Sequence, residues 1–226
     1  MPGQKDPAKH YNTGDLPIGT IQIEQIWLHF FYAHIYVKRT FYICVNPEMI
    51  HDIDKTSRLI ATAEELFDRH GYIATGMDRL TEAADMSSRT LYKHAGSKTQ
   101  LMAAVLAHRG QRFMHRIEVE SVDALFAALE EWLQVEGQRG CLFLRVQGET
   151  GGSTPEISEA IKAHKTAFAT RVQEIVATDL GQENPVLANQ VLVLCEGAIH
   201  AAIYRGLDAL TAARSAAAIL VARARS

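Results

Sequence analysis

The stretch from residue 75 to residue 98 limits most strongly what this chain can fold into, because two short helix patterns meet there at a tight turn. The first predicted helix covers about residues 76–84, and the second covers about residues 88–94. Residues 85–86 form the predicted turn, and Ser87 is a suitable N-cap for the second helix. Two short helices in this arrangement are typical of a helix-turn-helix.

Signals on both sides of the turn extend this unit to four helices. A helix is predicted from about Ile53 to His70, with Gly71 at the usual C-terminal position. Thr75 is the predicted N-cap of the helix that follows, and Ser97 can cap a fourth helix.

The helix at 88–94 is predicted to expose a polar face that suits a nucleic acid. Arg89, Thr90 and Lys93 lie on its exposed side, whereas Leu91 points into the core. Tyr92 offers a hydroxyl on a rigid ring, and amides and hydroxyls at a helix N-terminus can bind phosphate. One short helix with such a face fits a major groove about 12 Å wide.

Positive charge is concentrated near this helix, although the formal net charge of the chain is -3. Residues 86–117 contain six Lys or Arg and no Asp or Glu, whereas residues 118–160 contain two Arg and nine acids. Phosphate binding requires such a local excess of positive charge. A solvated basic helix face would give the same run, and its coincidence with the turn favours DNA.

A characteristic spacing of apolar, small and hydroxyl residues runs through the same region: Leu66-Phe67, Gly71, Thr75, Ala83-Ala84, Ser87, Thr90-Leu91-Tyr92-Lys93-His94, Ser97-Lys98 and Leu101. This spacing resembles the DNA-binding domain of the TetR (tetracycline-repressor-like) family of transcriptional regulators. The resemblance implies a homodimeric repressor whose ligand weakens DNA binding. It also implies DNA-facing residues, and the predicted DNA-binding set is Thr75, Ser87, Ser88, Arg89, Thr90, Tyr92, Lys93, His94 and Lys98.

Two residues depart from the family pattern. Asp85 stands in the turn where the family usually has glycine, and aspartate tolerates a left-handed backbone better than most residues. Ala95 stands where the family usually has phenylalanine. This smaller side chain either loosens the domain or leaves space for a neighbour such as Met102.

The predicted fold class is all-α, with a three-helix helix-turn-helix DNA-binding domain followed by a helical bundle for effector binding and dimerisation. The predicted domains are an atypical extension at 1–50, the DNA-binding domain at 51–100 and the bundle at 101–226. The extension is either a real arm or the product of a mis-called start codon, with Met49 as the true start. Further helices are predicted at about 123–138, 155–180, 185–205 and 211–223.

Several function classes are not expected. The apolar segment 21–45 is interrupted by charges, and its longest charge-free apolar run is too short to span ~30 Å of hydrocarbon, so we expect no membrane span. Cys44, Cys141 and Cys195 form neither a disulfide framework nor a zinc pattern, which favours a reducing cytoplasm. No catalytic, cofactor or metal motif stands out, and the glycine-rich string at 148–152 lacks the residues of a phosphate loop and predicts a helix break.

An effector pocket in the bundle would be apolar with a few polar groups. The candidate effector-binding residues are Phe113, Trp132, Phe143, Arg145, Glu149, His164, Phe168, Glu196 and His200. Each has an ordinary alternative: the aromatic rings are core residues, Arg145 and Glu149 form a helix-surface pair, and the histidines are solvated.

The cysteines and the small residues each leave two interpretations open. Cys141 lies near Arg139 and Arg145 and could sense oxidants, or else Cys141 and Cys195 are buried structural thiols. The family resemblance places a homodimer interface on the helices at 155–180 and 185–205. Small residues on the second of these helices could equally serve a tight contact within one chain.

The predicted partners are therefore double-stranded DNA, an unidentified small-molecule effector and a second copy of the chain. Other hypotheses are an activator or thiol sensor on the same scaffold, and an all-helical enzyme or binding protein with a helix-turn-helix-like hairpin.

Overall fold

Helices joined by short connections make up the described part of the computed structural model, which covers residues 47–136 and 139–226. They are α1 Pro47–His70, α2 Met77–Ala83, α3 Ser88–Ala95, α4 Lys98–Arg116, α5 Val122–Val135, α6 Leu142–Thr150, α7 Pro155–Leu180, α8 Pro185–Arg205 and α9 Asp208–Arg225. These residues contain no strand, which confirms the all-α prediction. They lie in one compact unit, Asn46–Ser226. The predictions for residues 1–46 lie outside the described residues.

Helix α1 begins earlier than predicted and ends as predicted. It starts at Pro47 instead of about Ile53, so the predicted domain boundary between residues 50 and 51 falls inside a helix. Gly71 follows its last residue with φ +88°, a left-handed conformation that glycine adopts readily. The positions of α1 that share a face are buried, among them Leu59, Ala63 and Phe67.

The turn between α2 and α3 has the left-handed residue that the sequence predicts. Asp85 has φ +51° and is the single non-glycine residue with positive φ in the described ranges. The N–H of Asp85 donates to the carbonyl oxygen of Glu82, and the N–H of Met86 donates to that of Thr81, both at 3.2 Å. These two bonds satisfy the last carbonyls of α2, so the turn is a Schellman motif with aspartate in the glycine position.

Side-chain caps fix the beginnings of α3 and α4. The Ser87 hydroxyl accepts the Thr90 N–H at 3.2 Å, and the Ser97 hydroxyl accepts the Gln100 N–H at 3.1 Å. Both bonds satisfy backbone donors that a helix N-terminus leaves without internal partners. The predicted cap of α2 is wrong, because the N-cap residue is Gly76 and it makes no side-chain cap bond.

Helix α4 belongs to two hydrophobic cores. Its first half packs with α1–α3, called the reader below, and this core also includes residues of α6 and α7. Its second half, which contains Phe113, packs with α5, α7, α8 and α9. The predicted domain boundary between residues 100 and 101 therefore falls inside a helix that serves both sides. Ala95 and Met102 are both buried in the first core.

Helices α5–α9 are called the body below, and several of them begin and end where the capping residues and glycines predict. Helix α7 spans the predicted residues 155–180 and is followed by Gly181 with φ +71°. The Asn184 side-chain oxygen accepts the Leu187 N–H at 3.0 Å and caps α8. Helix α6 ends at Thr150, before two glycines with positive φ, which is the helix break predicted at residues 148–152.

Within the described residues, α8 alone is long and apolar enough to cross a membrane by length and composition. One third of its most apolar window, 33%, is buried in the fold. Leu187, Val191 and Cys195 on its inner face belong to the body core. Core helices of folded proteins meet the same criterion, so the remaining apolar surface of α8 is the feature that needs an explanation.

Replacing Asp85 by glycine should raise the free energy of unfolding by about 0.5–1 kcal/mol, because glycine adopts the left-handed conformation without a Cβ penalty. Asp85→Ala should lower it, since alanine tolerates this conformation less well than aspartate. Urea unfolding of the three proteins measures both effects. A gain in both variants would show that the backbone conformation of residue 85 does not limit stability.

Candidate nucleic-acid interface and effector pocket

Helix α3 presents four of the predicted DNA-contacting residues to solvent. Ser88, Arg89, Tyr92 and Lys93 are all exposed, and half of the Tyr92 surface, 50%, is accessible. Arg89 and Lys93 stand four residues apart and therefore share a helix face. Leu91 is fully buried on the opposite side. The structure thus gives α3 one apolar face for the reader core and one polar face for a ligand.

The hydroxyls of Ser87 and Thr90 lie together at the N-terminus of α3. The Ser87 hydroxyl accepts the Thr90 N–H and lies 2.8 Å from the Thr90 hydroxyl. Ser87 is exposed, and Thr90 is half-buried. Both groups cap the helix and remain next to its positive end, where a phosphate would be stabilised.

Two residues of the predicted DNA-binding set do not face solvent. Thr75 is fully buried, and its hydroxyl donates to the carbonyl oxygen of Gly71 at 2.7 Å. The His94 side chain is 6% exposed, and its Nδ1 lies 3.0 Å from the Thr56 hydroxyl on α1. The prediction of DNA-facing side chains is wrong for both, because these residues join the elements of the reader to one another.

The two predicted lysines have partners, whereas Arg89 has none among the described residues. The Lys98 ammonium donates to the carbonyl oxygen of Ile73 at 3.3 Å and lies 4.5 Å from the centre of the Tyr72 ring. Burial lowers the pKa of Lys98, and the nearby carboxylate of Glu149 opposes this shift. The Lys93 ammonium lies 2.9 Å from Oδ2 of Asp52 on α1. Arg89 is therefore the basic side chain of α3 most free to bind a new partner.

Sequence reasoning missed two charged residues beside α3. Asp52 precedes the stretch that carries the family resemblance, and its contact with Lys93 spans 41 positions. Arg79 on α2 is exposed and lies 2.8 Å from Nε2 of His70. Arg79 is a basic residue near the turn, so the sequence could have indicated it as a candidate for DNA binding. The pairing of Asp52, in contrast, depends on how α1 packs against α3.

A small aromatic pocket lies between α4, α5, α6, α7 and α8. Five of the candidate effector residues line it: Phe113, Trp132, Phe143, His164 and Phe168. The Phe113 ring meets those of Phe168, Trp132 and His164 edge to face, with centroids 5.1, 5.3 and 5.4 Å away. Its cavity volume is about 30 Å³, which is room for no more than a few atoms. A ligand larger than a few atoms must therefore move the walls.

His164 is the polar ring of this pocket. It stacks on Phe143 with a centroid distance of 3.9 Å and an interplanar angle of 11°. Burial lowers the pKa of His164 to about 4, and the positive charges of Lys165 and Arg109 add to this shift. The imidazole is therefore neutral at pH 7 and forms a flat wall without charge.

Comparison with known proteins identifies the reader. Residues 59–105 match the sequence pattern of the bacterial regulatory proteins of the tetR family. Residues 59–105 therefore form a helix-turn-helix DNA-binding domain of the tetR type, as the sequence predicted.

Individual relatives agree with this assignment. The chain is 27% identical over 139 residues to the HTH-type transcriptional activator FasR of Mycolicibacterium smegmatis, a match that covers 58% of this chain and 62% of FasR. The match thus spans less than two thirds of that relative.

Two solved structures show the same fold. SCO4454, a TetR-family regulator from Streptomyces coelicolor, superposes with a TM-score of 0.69 at 22% identity over 76% of this chain and 97% of its own. A TetR regulator from Chloroflexus aurantiacus gives a TM-score of 0.64 at 20% identity over 77% and 97%.

Two candidate effector residues face the reader instead of the pocket. The Arg145 guanidinium lies 2.9 Å from Oδ1 of Asp68 and donates to the Asp68 carbonyl oxygen at 2.7 Å. The Glu149 carboxylate accepts the Ile73 N–H at 2.8 Å. Neither residue lines the aromatic pocket, so their contact with an effector stays a prediction, whereas the alternative of an Arg145–Glu149 pair is wrong. Helix α6 instead holds the C-terminal end of α1 and the loop after it.

The remaining candidate effector residues lie outside the pocket lining. The Glu196 carboxylate binds the ammonium of Lys165, a lining residue, at 2.7 and 2.8 Å. Glu196 therefore contacts a residue that lines the pocket but does not line the pocket itself. His200 is exposed on α8 and is absent from the lining, so its predicted contact with an effector is not supported.

The two described cysteines differ in accessibility. Cys195 is fully buried, and burial raises the pKa of its thiol, so it is an unreactive core residue. Cys141 is partly exposed at the pocket, and its Sγ lies 3.8 Å from Nζ of Lys165. The arginines predicted to activate it, Arg139 and Arg145, bind Asp68 instead. Among the described residues no cluster of His, Cys, Asp or Glu could hold a metal ion.

A buried ion-pair cluster joins α4 to the reader and to the end of α5. Glu64 on α1 is 8% exposed, and its carboxylate binds Arg109 at 2.8 Å and Arg112 at 2.7 Å. Burial would raise the pKa of Glu64, but the hydrogen bonds from Arg112 and Arg109 lower it below its ordinary value. Both arginines also bind Glu136. Because Arg109 lies 5.4 Å from the Trp132 ring, it touches the pocket and the reader at once.

Replacing Glu64 by glutamine should lower the free energy of unfolding by about 3 kcal/mol, because the substitution leaves the buried Arg109 without its anion. The matched control is Glu65→Gln, since Glu65 is 66% exposed and pairs only with Arg69; it should leave stability nearly unchanged. Urea unfolding at pH 7 compares the two. Equal losses would show that the cluster contributes no more than a surface pair.

Proposed function

We propose that this protein is a ligand-responsive repressor that binds a palindromic operator as a homodimer. The exposed polar face of α3, with Arg89 free of partners among the described residues, carries this proposal. A recognition helix is short, exposes polar side chains and rests on a helix that crosses the DNA backbone, which is how α3 and α2 are arranged. In this proposal, Ser87, Ser88, Thr90 and Tyr92 contact DNA beside Arg89, and the protein acts in the cytoplasm.

A homodimer is proposed because a single short helix buries too little surface for tight and selective binding. Paired half-sites about 34–36 Å apart multiply both affinity and selectivity. The large exposed apolar side chains of the last two helices supply a surface for the second copy: Val186, Val193, Ile203 and Tyr204 of α8, and Ile219 of α9. An open apolar groove lies between these helices.

This surface differs from the one predicted from the sequence. The prediction combined the helices at 155–180 and 185–205, but α7, which is described throughout, exposes no large apolar residue. We therefore propose α8 and α9 as the interface. Burial of this surface between two copies would also explain why α8 is more apolar than its core contacts require.

The response to a ligand is proposed to pass through the two helices that touch both the pocket and the reader. Helix α6 places Phe143 in the pocket and binds the reader through Arg145 and Glu149. Helix α4 does the same through Arg109. Because the pocket interior is nearly filled, a bound molecule must displace one of these helices, and the spacing of the two reading helices would change with it.

Activation is the second candidate, because FasR is named as an activator. The same DNA contacts serve either outcome, since its sign depends on where the operator lies relative to the promoter. A reporter fused to the bound promoter, measured with and without this protein, decides between them. Higher expression in the absence of the protein supports repression.

Arg89→Ala should weaken operator binding about 10- to 100-fold, or ~1–3 kcal/mol, because it removes a side chain placed for base or phosphate contact. Lys162→Ala is the control, since Lys162 is an exposed basic residue on α7, outside the reader and the proposed interface; it should leave binding unchanged. Mobility-shift titrations on DNA selected from a random pool by the purified protein measure both. Wild-type protein that selects no sequence, or binds without salt dependence, would overturn the DNA-binding proposal.

Val193→Asp should convert the dimer into a monomer, because it places a charge in the apolar groove. Val135→Asp is the matched control, since both valines are 69% exposed and Val135 lies at the end of α5. Sedimentation velocity at micromolar concentration distinguishes the two masses. A monomeric wild type, or a Val193→Asp protein that remains dimeric, would contradict the proposed interface.

A further inference from the structure

The carboxylate of Asp52 is paired with Lys93, one of the basic side chains on the polar face of α3. Oδ2 of Asp52 lies 2.9 Å from Nζ of Lys93, with the two side chains 47% and 64% exposed. Lys93 shares its helix face with Arg89, which is the face that the proposed function turns toward DNA. The ammonium that would bind a phosphate is therefore paired in the DNA-free protein.

The packing of α1 on α3 keeps this carboxylate in place. The Thr56 hydroxyl donates to the Asp52 carbonyl oxygen at 3.0 Å and lies 3.0 Å from Nδ1 of His94. His94 is the residue after Lys93, and its Nε2 lies 3.9 Å from Oδ1 of Asp52. Asp52 thus stands over the C-terminal end of α3 through contacts that are independent of its pair with Lys93.

We propose that Asp52 competes with DNA phosphate for Lys93 and so lowers the affinity of this regulator for DNA. The inference rests on the proposed function, because it presumes that α3 faces DNA. A carboxylate and a phosphate oxygen bind an ammonium through the same charge-assisted hydrogen bond, so one excludes the other from that site. Because the packing of α1 holds Asp52 in place, its carboxylate keeps the Lys93 ammonium from the phosphate in the wild type.

Competition between Asp52 and phosphate for Lys93 changes the salt dependence of DNA binding, whereas a purely structural role of Asp52 does not. Each phosphate newly neutralised by a lysine steepens the plot of log K against log salt by about 0.9. If Asp52 holds Lys93 away from phosphate, Asp52→Asn should add one such contact in each protomer. Removal of a negative charge near DNA would by itself strengthen binding, so the test needs a control with the same change in charge.

The experiment measures binding of full-length variants to one DNA fragment selected by the wild type, from 0.05 to about 0.3 M salt. Asp52→Asn should bind about three- to tenfold more tightly at 0.1 M salt and show the steeper slope. Asp54→Asn is the matched control, because Asp54 is exposed on the same helix and forms no ion pair with a described residue. It should show a smaller gain and an unchanged slope.

A double-mutant cycle assigns the gain to Lys93. Lys93→Gln should weaken binding more in the Asp52→Asn background than in the wild type, because only there is the ammonium free for phosphate. Asp52→Asn binding that equals or falls below that of Asp54→Asn, or a gain that survives Lys93→Gln, would overturn the proposal. Wild-type protein that binds no DNA would instead overturn the proposed function, so the two failures are distinguishable.

Discussion

The ion pair between Glu64 and Arg109 is the contact on which the arrangement of this molecule depends. A buried charge is tolerated only with a partner, so Arg109 on α4, which is 5% exposed, fixes α1 at one position along that helix. Helix α4 continues from the reader core into the body core. The orientation of α3 relative to the body therefore follows from this shared helix, from the charges that hold α1 to it and from the bonds of α6 to the reader.

The same arrangement explains how a small change in the body could reach the reader. Arg109 touches the Trp132 ring of the pocket, and α6 carries Phe143 on its pocket side and Arg145 and Glu149 on its reader side. These are short polar bonds between packed helices, and such helices respond as units and not by gradual deformation. The pocket is suited to this behaviour because it has little free volume without a ligand, so any bound molecule must move one of its walls.

The reader itself combines rigid and free groups. Buried Thr75 and His94 tie its elements together, Lys93 and Lys98 are held by protein partners, and Arg89 is free of partners among the described residues. Affinity for DNA would then be set by how many of these basic groups can exchange a protein partner for a phosphate. Selectivity would depend on the short stretch around Arg89 and Tyr92.

The sequence alone determined the helix boundaries around the turn, the caps at Ser87 and Ser97, and the left-handed turn residue. These features depend on residues at most five positions apart, and local hydrogen bonds and φ preferences decide them. Only the tertiary structure decided which residues of the pattern are exposed and which contacts join the reader to the body. Arg145 reaches Asp68 across 77 positions and Lys93 reaches Asp52 across 41. Such pairs depend on how the helices pack, and the spacing of residues along the chain does not indicate this packing.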